Sequence, residues 1–436
     1  MARIRFGILV FGVCTLLTSV NANAGEQALK KELAVLNNLT GNDPMRGTLK
    51  ALVDNPDHAK KLIAHALPAA KKKELSYNAG LVLALAATDL KDMKSAEIFF
   101  RVCMEQGAKL QSFEKLKQSY GLLIELYYDS RQYADCTRIC KELLELNTDD
   151  DKDRKVVGLM VNRRGEIEFR EPTDRFDTAQ RLRPFIYEIY VKATARQGRY
   201  DQAVKLVDNL LKKNDDWIDR QLKAWVLKEA GRLDEAAGVY EDVIKQVNAD
   251  DRFEQKDKDR YIEQFRYEVS NVYVELKKID RATEHLEFLV KKRPNDPVFY
   301  NDLGYILADH DLRLDEAEKL IRKAIDLDRA ARKKSPEFNP KTDHDKGAYL
   351  DSLGWVLFKQ KKLKEAKDWL IKATEDKNAQ HIEIYDHLGD VYMALGDRKG
   401  AIQAWQKGIE VVTESRRDQK LKTAVEKKLD NAKKPK

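Results

Sequence analysis

Apolar side chains recur along most of this chain at intervals of three and four. The stretch YLDSLGWVLFKQKKLKEAKDWLIKATE, residues 349–375, shows the pattern at its simplest. Leu350, Leu353 and Leu357 share one face of a first predicted helix, and Leu370 and Ala373 share one face of a second. The polar run Lys361-Lys362-Leu363-Lys364 separates them. Gly354 and Ala366 lie twelve residues apart, one on each helix. Small side chains at matched heights let two antiparallel helices approach, while the larger apolar residues fill the space beside them.

The same spacing returns at Gly389 and Ala401, and at Gly304 and Ala317 with one extra residue in the turn. Counting backwards, Ala282, Ala236, Ala203, Cys136 and Ala96 occupy the small-residue slot of the second helix, which makes eight copies. The steps between them are 40, 67, 33, 46, 35, 49 and 35 residues, so three insertions interrupt the array. One hairpin cannot bury its apolar faces alone. Neighbours must stack, and the product is a solenoid.

The pattern resembles the tetratricopeptide repeat. Its consensus is met at Leu353, Gly354, Ala366, Leu370 and Ala373, and again at Leu388, Gly389, Tyr392, Ala401 and Trp405, with Pro294 at the last consensus position of its copy. The copies around Ala96 and Cys136 lack the glycine and are repeats by the phase of their neighbours. The resemblance implies an all-α fold, a right-handed α-solenoid of about eight helical hairpins whose first helices form a concave wall. Carried over position by position, the groove residues are Tyr267, Asn301, Asp351 and Asp386 in one row and Asn271, Tyr305, Trp355 and Asp390 in another. Aromatics beside short polar side chains suit an extended peptide. Tyr305 and Trp355 read equally well as packing against the adjacent helix. Relatives that dock chaperones clamp a terminal carboxylate with basic residues, and these slots are not basic.

The organisation expected is a signal segment 1–24, an N-terminal helical cap 25–75, degenerate repeats 76–146, an insertion 147–183, the main array 184–415, and a basic tail 416–436 that extends or caps the last helix. Within the array, 248–260 is charged enough for a helix extension or a solvated loop, and 328–347 is a loop by its prolines 336 and 340. In the 147–183 insertion, Val156–Val161 and the alternating Glu166–Phe169 flank Asn162–Gly165, which reads as a small β-hairpin near 155–171 or as a helix-capping excursion.

Arg3 and Arg5 precede an apolar run from Phe6 to Leu17, and Ala22-Asn23-Ala24 supplies small residues for cleavage. Export with cleavage after Ala24 is therefore expected, to the periplasm or cell envelope or beyond. No later stretch reaches the ~20 apolar residues of a membrane span. Three cysteines remain after cleavage, Cys103, Cys136 and Cys140, an odd number for an exported chain. A link between adjacent repeats is conceivable, but packing as small apolar residues is the favoured reading.

The formal net charge is +7. Without Arg3 and Arg5 it is +5, and the tail 416–436 holds nine basic and three acidic residues, so the body sits near −1. A nucleic-acid binder usually carries its basic excess on the folded part, so no nucleic-acid partner is expected. Phosphate-cradling glycine loops, nucleophile elbows and H-E-x-x-H are missing from the sequence, and no cofactor or catalytic residue is predicted. In HIEIYDH, the group His381, Glu383, Asp386 and His387 invites a metal reading, but acidic residues at a helix N-terminus are explained by the macrodipole. The reading is an exported, non-enzymatic scaffold that binds a protein or peptide in its groove. The alternatives are an accessory factor in envelope polymer assembly or secretion and, last, an enzyme built in an insertion.

Overall fold

The computed structural model of the chain describes residues 25–145, 160–161, 167–168, 175–212, 215–336, 338–340, 343–377, 379–413 and 415–434. The predicted signal segment 1–24 lies outside them, as does most of 147–174. Three helices come first, α1 (Glu26–Asn37), α2 (Asn42–Val53) and α3 (Pro56–Lys71). Helical pairs follow: α4 (Tyr77–Asp89) with α5 (Met93–Lys109), α6 (Phe113–Asp129) with α7 (Tyr133–Glu145), α8 (Arg175–Arg196) with α9 (Tyr200–Leu211), and α10 (Trp217–Glu229) with α11 (Leu233–Ala249). Then come α12 (Gln255–Glu275) with α13 (Ile279–Lys292), α14 (Pro297–Asp309) with α15 (Leu314–Lys333), α16 (Gly347–Lys359) with α17 (Leu363–Glu375), and α18 (Ile382–Ala394) with α19 (Arg398–Glu410). A last helix, α20 (Arg416–Lys433), is unpaired. The chain divides into two compact units, residues 1–209 and 210–436, with the boundary inside α9.

The eight second helices share one register. Ala96, Cys136, Ala203, Ala236, Ala282, Ala317, Ala366 and Ala401 are each the fourth residue of their helix, and each is fully buried. The glycines opposite show why size matters. A Cβ built on Gly354 would lie 2.5 Å from Leu370 Cγ, on Gly304 2.7 Å from Ile321 Cγ1, and on Gly389 2.2 Å from the Trp405 indole nitrogen. The apolar stripe read from 349–375 is buried throughout, Leu353, Leu357, Leu370 and Ala373 completely.

The turns share a register too. Lys91, Arg131, Gly198, Gly231, Lys277, Asp311, Lys361 and Gly396 all have positive φ, one in each hairpin. This left-handed residue lets the next amide reach back over the helix end: Lys362 N donates to Leu357 O at 2.9 Å, and Asp397 N to Tyr392 O at 2.9 Å. Short polar side chains cap the following starts, Asp92 accepting from Ser95 N, Asp397 from Gly400 N and Asp296 from Val298 N.

The insertions are partly helical. Segment 248–260 is partly a helix extension, since α12 begins at Gln255, and Phe253 and Tyr261 lay their rings 5.6 and 5.0 Å from Trp217. The segment 328–347 is not loop throughout. α15 continues to Lys333 before the prolines stop it, because Arg329 and Arg332 on that extra turn pair with Asp343 and Asp345 on the returning chain. α8 likewise begins at Arg175, within the stretch assigned to insertion. Met160–Val161 and Ile167–Glu168 pair antiparallel where the sequence alternates; the rest of that predicted hairpin lies outside the described residues.

The basic tail also differs from an extension of α19. α20 starts 34 residues after α18, close to the 35-residue step between α16 and α18, and packs on both α18 and α19. It stands where the first helix of a ninth copy would stand, burying Val425, Leu429 and Ala432 and turning its polar face outward.

Candidate partner-binding wall

The predicted groove residues lie on the first helices α12, α14, α16 and α18 of the second unit. On α12, Tyr267 is half-buried and donates its hydroxyl to Asp302 Oδ2 at 2.7 Å. Asn271 is half-buried one turn on and donates to Tyr267 O at 3.1 Å. On α14, Asn301 is buried, its amide nitrogen donating to Asp302 Oδ1 at 3.3 Å while its Oδ1 has no partner. Tyr305, half-buried, donates its hydroxyl to Glu383 Oε1 on α18 at 2.8 Å, a brace that passes across α16.

Beneath that brace the wall is self-engaged. Trp355 is only 8% exposed, with its ring stacked 4.0 Å from the His387 imidazole and its Nε1 donating to Asp309 at 3.1 Å. Asp351 is buried, and its carboxylate lies 2.9 Å from His387 Nδ1. Asp386 is buried and Asp390 half-buried, and both accept from Lys428 of α20, at 2.8 and 2.7 Å. Of the eight positions, then, Asp351, Trp355 and Asp386 are buried and paired within the chain, whereas Asn301 is buried with its Oδ1 unpaired. The reading of Trp355 as a contact surface is corrected: its indole supports the wall from within. Tyr267, Asn271, Tyr305 and Asp390 remain partly exposed.

The electrostatics follow from this burial. For His387, burial alone favours the neutral ring, but the Asp351 carboxylate beside it raises the pKa on balance to about 9. Burial pushes Asp351 itself up, with His387 opposing. The pair therefore holds one proton across neutral pH. His285 on α13 behaves oppositely. Burial lowers its pKa, and although Glu241 is 3.2 Å from Nε2, Arg266 sits 3.2 Å from Nδ1 and adds to the lowering.

The four residues of HIEIYDH do not converge. His381 pairs with Asp418, Glu383 with Tyr305 and Arg417, Asp386 with Lys428, and His387 with Asp351. His381 also caps α18, accepting from Glu383 N at 3.3 Å. Among the described residues no group of three His, Cys, Asp or Glu side chains could hold a metal ion. Cys103, Cys136 and Cys140 are buried free thiols.

Sequence reasoning missed Asp302, Arg417 and Lys428. Asp302 is adjacent to a carried-over position, so it fell outside the template. The two cations were hidden because 416–436 reads from sequence as a basic helix or tail extending or capping the last helix, not as a further first helix, although its 34-residue offset from α18 is countable.

Family models described as tetratricopeptide repeat match residues 191–251, 270–332 and 382–411. A TPR repeat-containing protein of Pseudomonas aeruginosa is 28% identical over 197 residues, covering 45% of this chain and 28% of the relative. The chain thus matches little more than a quarter of that relative's length. A tetratricopeptide repeat protein of Parabacteroides merdae of known structure is 13% identical, covering 71% of this chain and 99% of its own, with a TM-score of 0.44. MamA, from residue 41 on, of Desulfovibrio magneticus is 20% identical over 45% of this chain and 96% of its own, with a TM-score of 0.34. With these matched segments, the common register of buried small residues and the left-handed turns, the chain carries tetratricopeptide repeats over 191–251, 270–332 and 382–411.

Proposed function

We propose that this protein is an exported scaffold whose second unit holds a segment of a partner protein along α12, α14, α16 and α18. Tetratricopeptide repeats are protein-interaction modules, and that coarse role comes with the family. What supports the location is the wall itself. Tyr267, Asn271, Tyr305 and Asp390 are partly exposed on it, and the buried groups under them are fixed by hydrogen bonds between successive copies. A surface held in one geometry spends little entropy on ordering when it binds.

The test is capture by the full chain. Changing Asn271→Ala and Tyr305→Phe together should abolish capture while circular dichroism keeps its helical signal. Changing the exposed Lys364→Ala and the half-buried Lys367→Ala on α17 should leave capture intact. Retention by the first variant and loss by the second would move the binding surface to the second helices and overturn this reading. Export is part of the proposal and rests on the 1–24 segment. Sequencing the mature N-terminus should begin at Gly25, and an intact Met1 on envelope material would refute cleavage.

A further inference from the structure

We propose that the wall of α14, α16 and α18 receives a basic segment of its partner, with one lysine or arginine seated at Asp302 beside Asn301. This rests on reading the wall as a partner-binding surface. These three first helices together carry six carboxylates, against Lys359 and the His387 ring that shares its proton with Asp351. Their partners α15, α17 and α19 carry twelve basic and nine acidic residues. In these three hairpins the excess of carboxylates thus lies on the first helices and the excess of basic residues on the second. Such local fields select partners by sign and steer their approach.

The chain already supplies an example of what this face accepts. The cations that neutralise α18 come from α20, Arg417 on Glu383 at 2.6 and 2.8 Å and Lys428 on Asp386 and Asp390. Two copies upstream, on α14, no such ion pair forms among the described residues: no lysine or arginine lies within 4 Å of Asp302. Burial raises the pKa of its carboxyl, and Arg417, acting from farther off, lowers it only in part.

Asn301 gives an independent sign of a missing donor. It is 8% exposed, its amide nitrogen touches Asp302 Oδ1, and its own Oδ1 has no hydrogen-bond partner. A carboxylate with no lysine or arginine in direct contact and an amide oxygen without a donor therefore sit side by side. An ammonium or guanidinium offers several N–H groups at once and answers both. The Tyr267 ring, tied to Asp302 and 5.7 Å from Phe299, adds an aromatic flank suited to a cation.

The experiment uses the full chain and fluorescein-labelled peptides of alternating Arg-Ala, Gln-Ala and Glu-Ala, read by anisotropy. The Arg-Ala peptide should bind about tenfold or more tighter than Gln-Ala at low salt, and the gap should narrow at high salt. Asp302→Asn should remove about tenfold of the Arg-Ala affinity and leave Gln-Ala unchanged. Arg417→Ala, which frees Glu383 without touching the hairpins, should tighten Arg-Ala binding severalfold. Equal binding of the three peptides, preference for Glu-Ala, no binding of Arg-Ala, or an Asp302→Asn variant with full Arg-Ala affinity would each overturn the proposal. Capture of a natural partner through an acidic segment would overturn it while leaving the scaffold reading in place.

Discussion

The hairpin α6–α7 of the first unit and the hairpins α16–α17 and α18–α19 of the second meet one packing requirement in opposite ways. In the second unit the first helix contributes a glycine and the second helix a large residue, Gly354 with Leu370 and Gly389 with Trp405. In α6–α7 the same register places Ile124 on the first helix and Cys140 on the second, both fully buried. Between these extremes lie Ala84 with Phe100, Ala224 with Tyr240 and Val191 with Val207. What recurs along the array is a crossing filled from one side or the other, a small residue against a larger one or two of middling size, not the identity of either residue. This also gives Cys140 a structural reason: a small side chain opposite Ile124, on the same helix as Cys136.

Emptying the inverted crossing should have the largest effect. Ile124→Ala leaves a void against Cys140 and should destabilise α6–α7 by about 2–5 kcal/mol. Adding Cys140→Leu refills the space from the other side, so the double variant should recover at least ~1 kcal/mol relative to the sum of the single changes. Because repeat arrays open piecewise, hydrogen exchange confined to α6 and α7 is the measurement, not a single global melt. Additivity within about 0.5 kcal/mol would show that the two positions do not share one volume. Overfilling the regular crossing comes next. Gly354→Leu drives a side chain into Leu370 and should cost roughly 1–3 kcal/mol or more, again read locally.

This contrast explains which parts of the fold were legible. Gly304, Gly354 and Gly389 announce their hairpins because glycine in a helix interior is costly and needs a reason. Ile124 announces nothing, since it is an ordinary core residue until its partner is known, and that hairpin was found only by phase. The wall was legible at the level of backbone position: all eight predicted residues do sit on first helices. Their exposure was not, because it depends on contacts 32 to 78 residues away, such as His387 on Trp355 and Glu383 on Tyr305. Sequence spacing fixes where a side chain starts and leaves open what covers it.

The two regions also differ in how they neutralise acids between helices, and pH should separate them. In α5 and α7, Glu142 is held low by Arg101, while Glu97, which burial alone would raise, is held low by Arg138, Tyr127 and Arg101. Carboxyls depressed in the folded state stabilise above their ordinary value near 4.5, and that contribution is lost as the pH falls through the folded pKa. In α16 and α18 the partner is a histidine whose pKa is raised from 6.5 to about 9. Its contribution is complete below about 6.5 and is lost as the pH rises through about 9. Acid should therefore loosen α5 and α7 first, and mild alkali should loosen α16 and α18. Hydrogen exchange at matched intrinsic rates, with His387→Gln as the control, checks both limbs. Equal alkaline loosening in that variant would detach the effect from the Asp351–His387 pair.

The smallest effect concerns the turns, where the two units are alike and only residue type varies. Lys361 holds φ at +64° and Gly396 at +80°, in equivalent places of successive hairpins. The left-handed conformation costs an ordinary residue roughly 1–2 kcal/mol, whereas glycine adopts it freely. Glycine loses more freedom on folding, by about 0.4–1 kcal/mol, so Lys361→Gly should stabilise its hairpin by only ~0.5–1 kcal/mol. Gly396→Ala should destabilise its own by a similar amount, and a Lys361→Ala change should give no gain, since alanine keeps the Cβ. Opposite signs at the two positions would show that the shared turn geometry sets these energies. Stabilisation by Lys361→Ala equal to that by glycine would instead assign the effect to the lost lysine charge, leaving backbone conformation without a part in it.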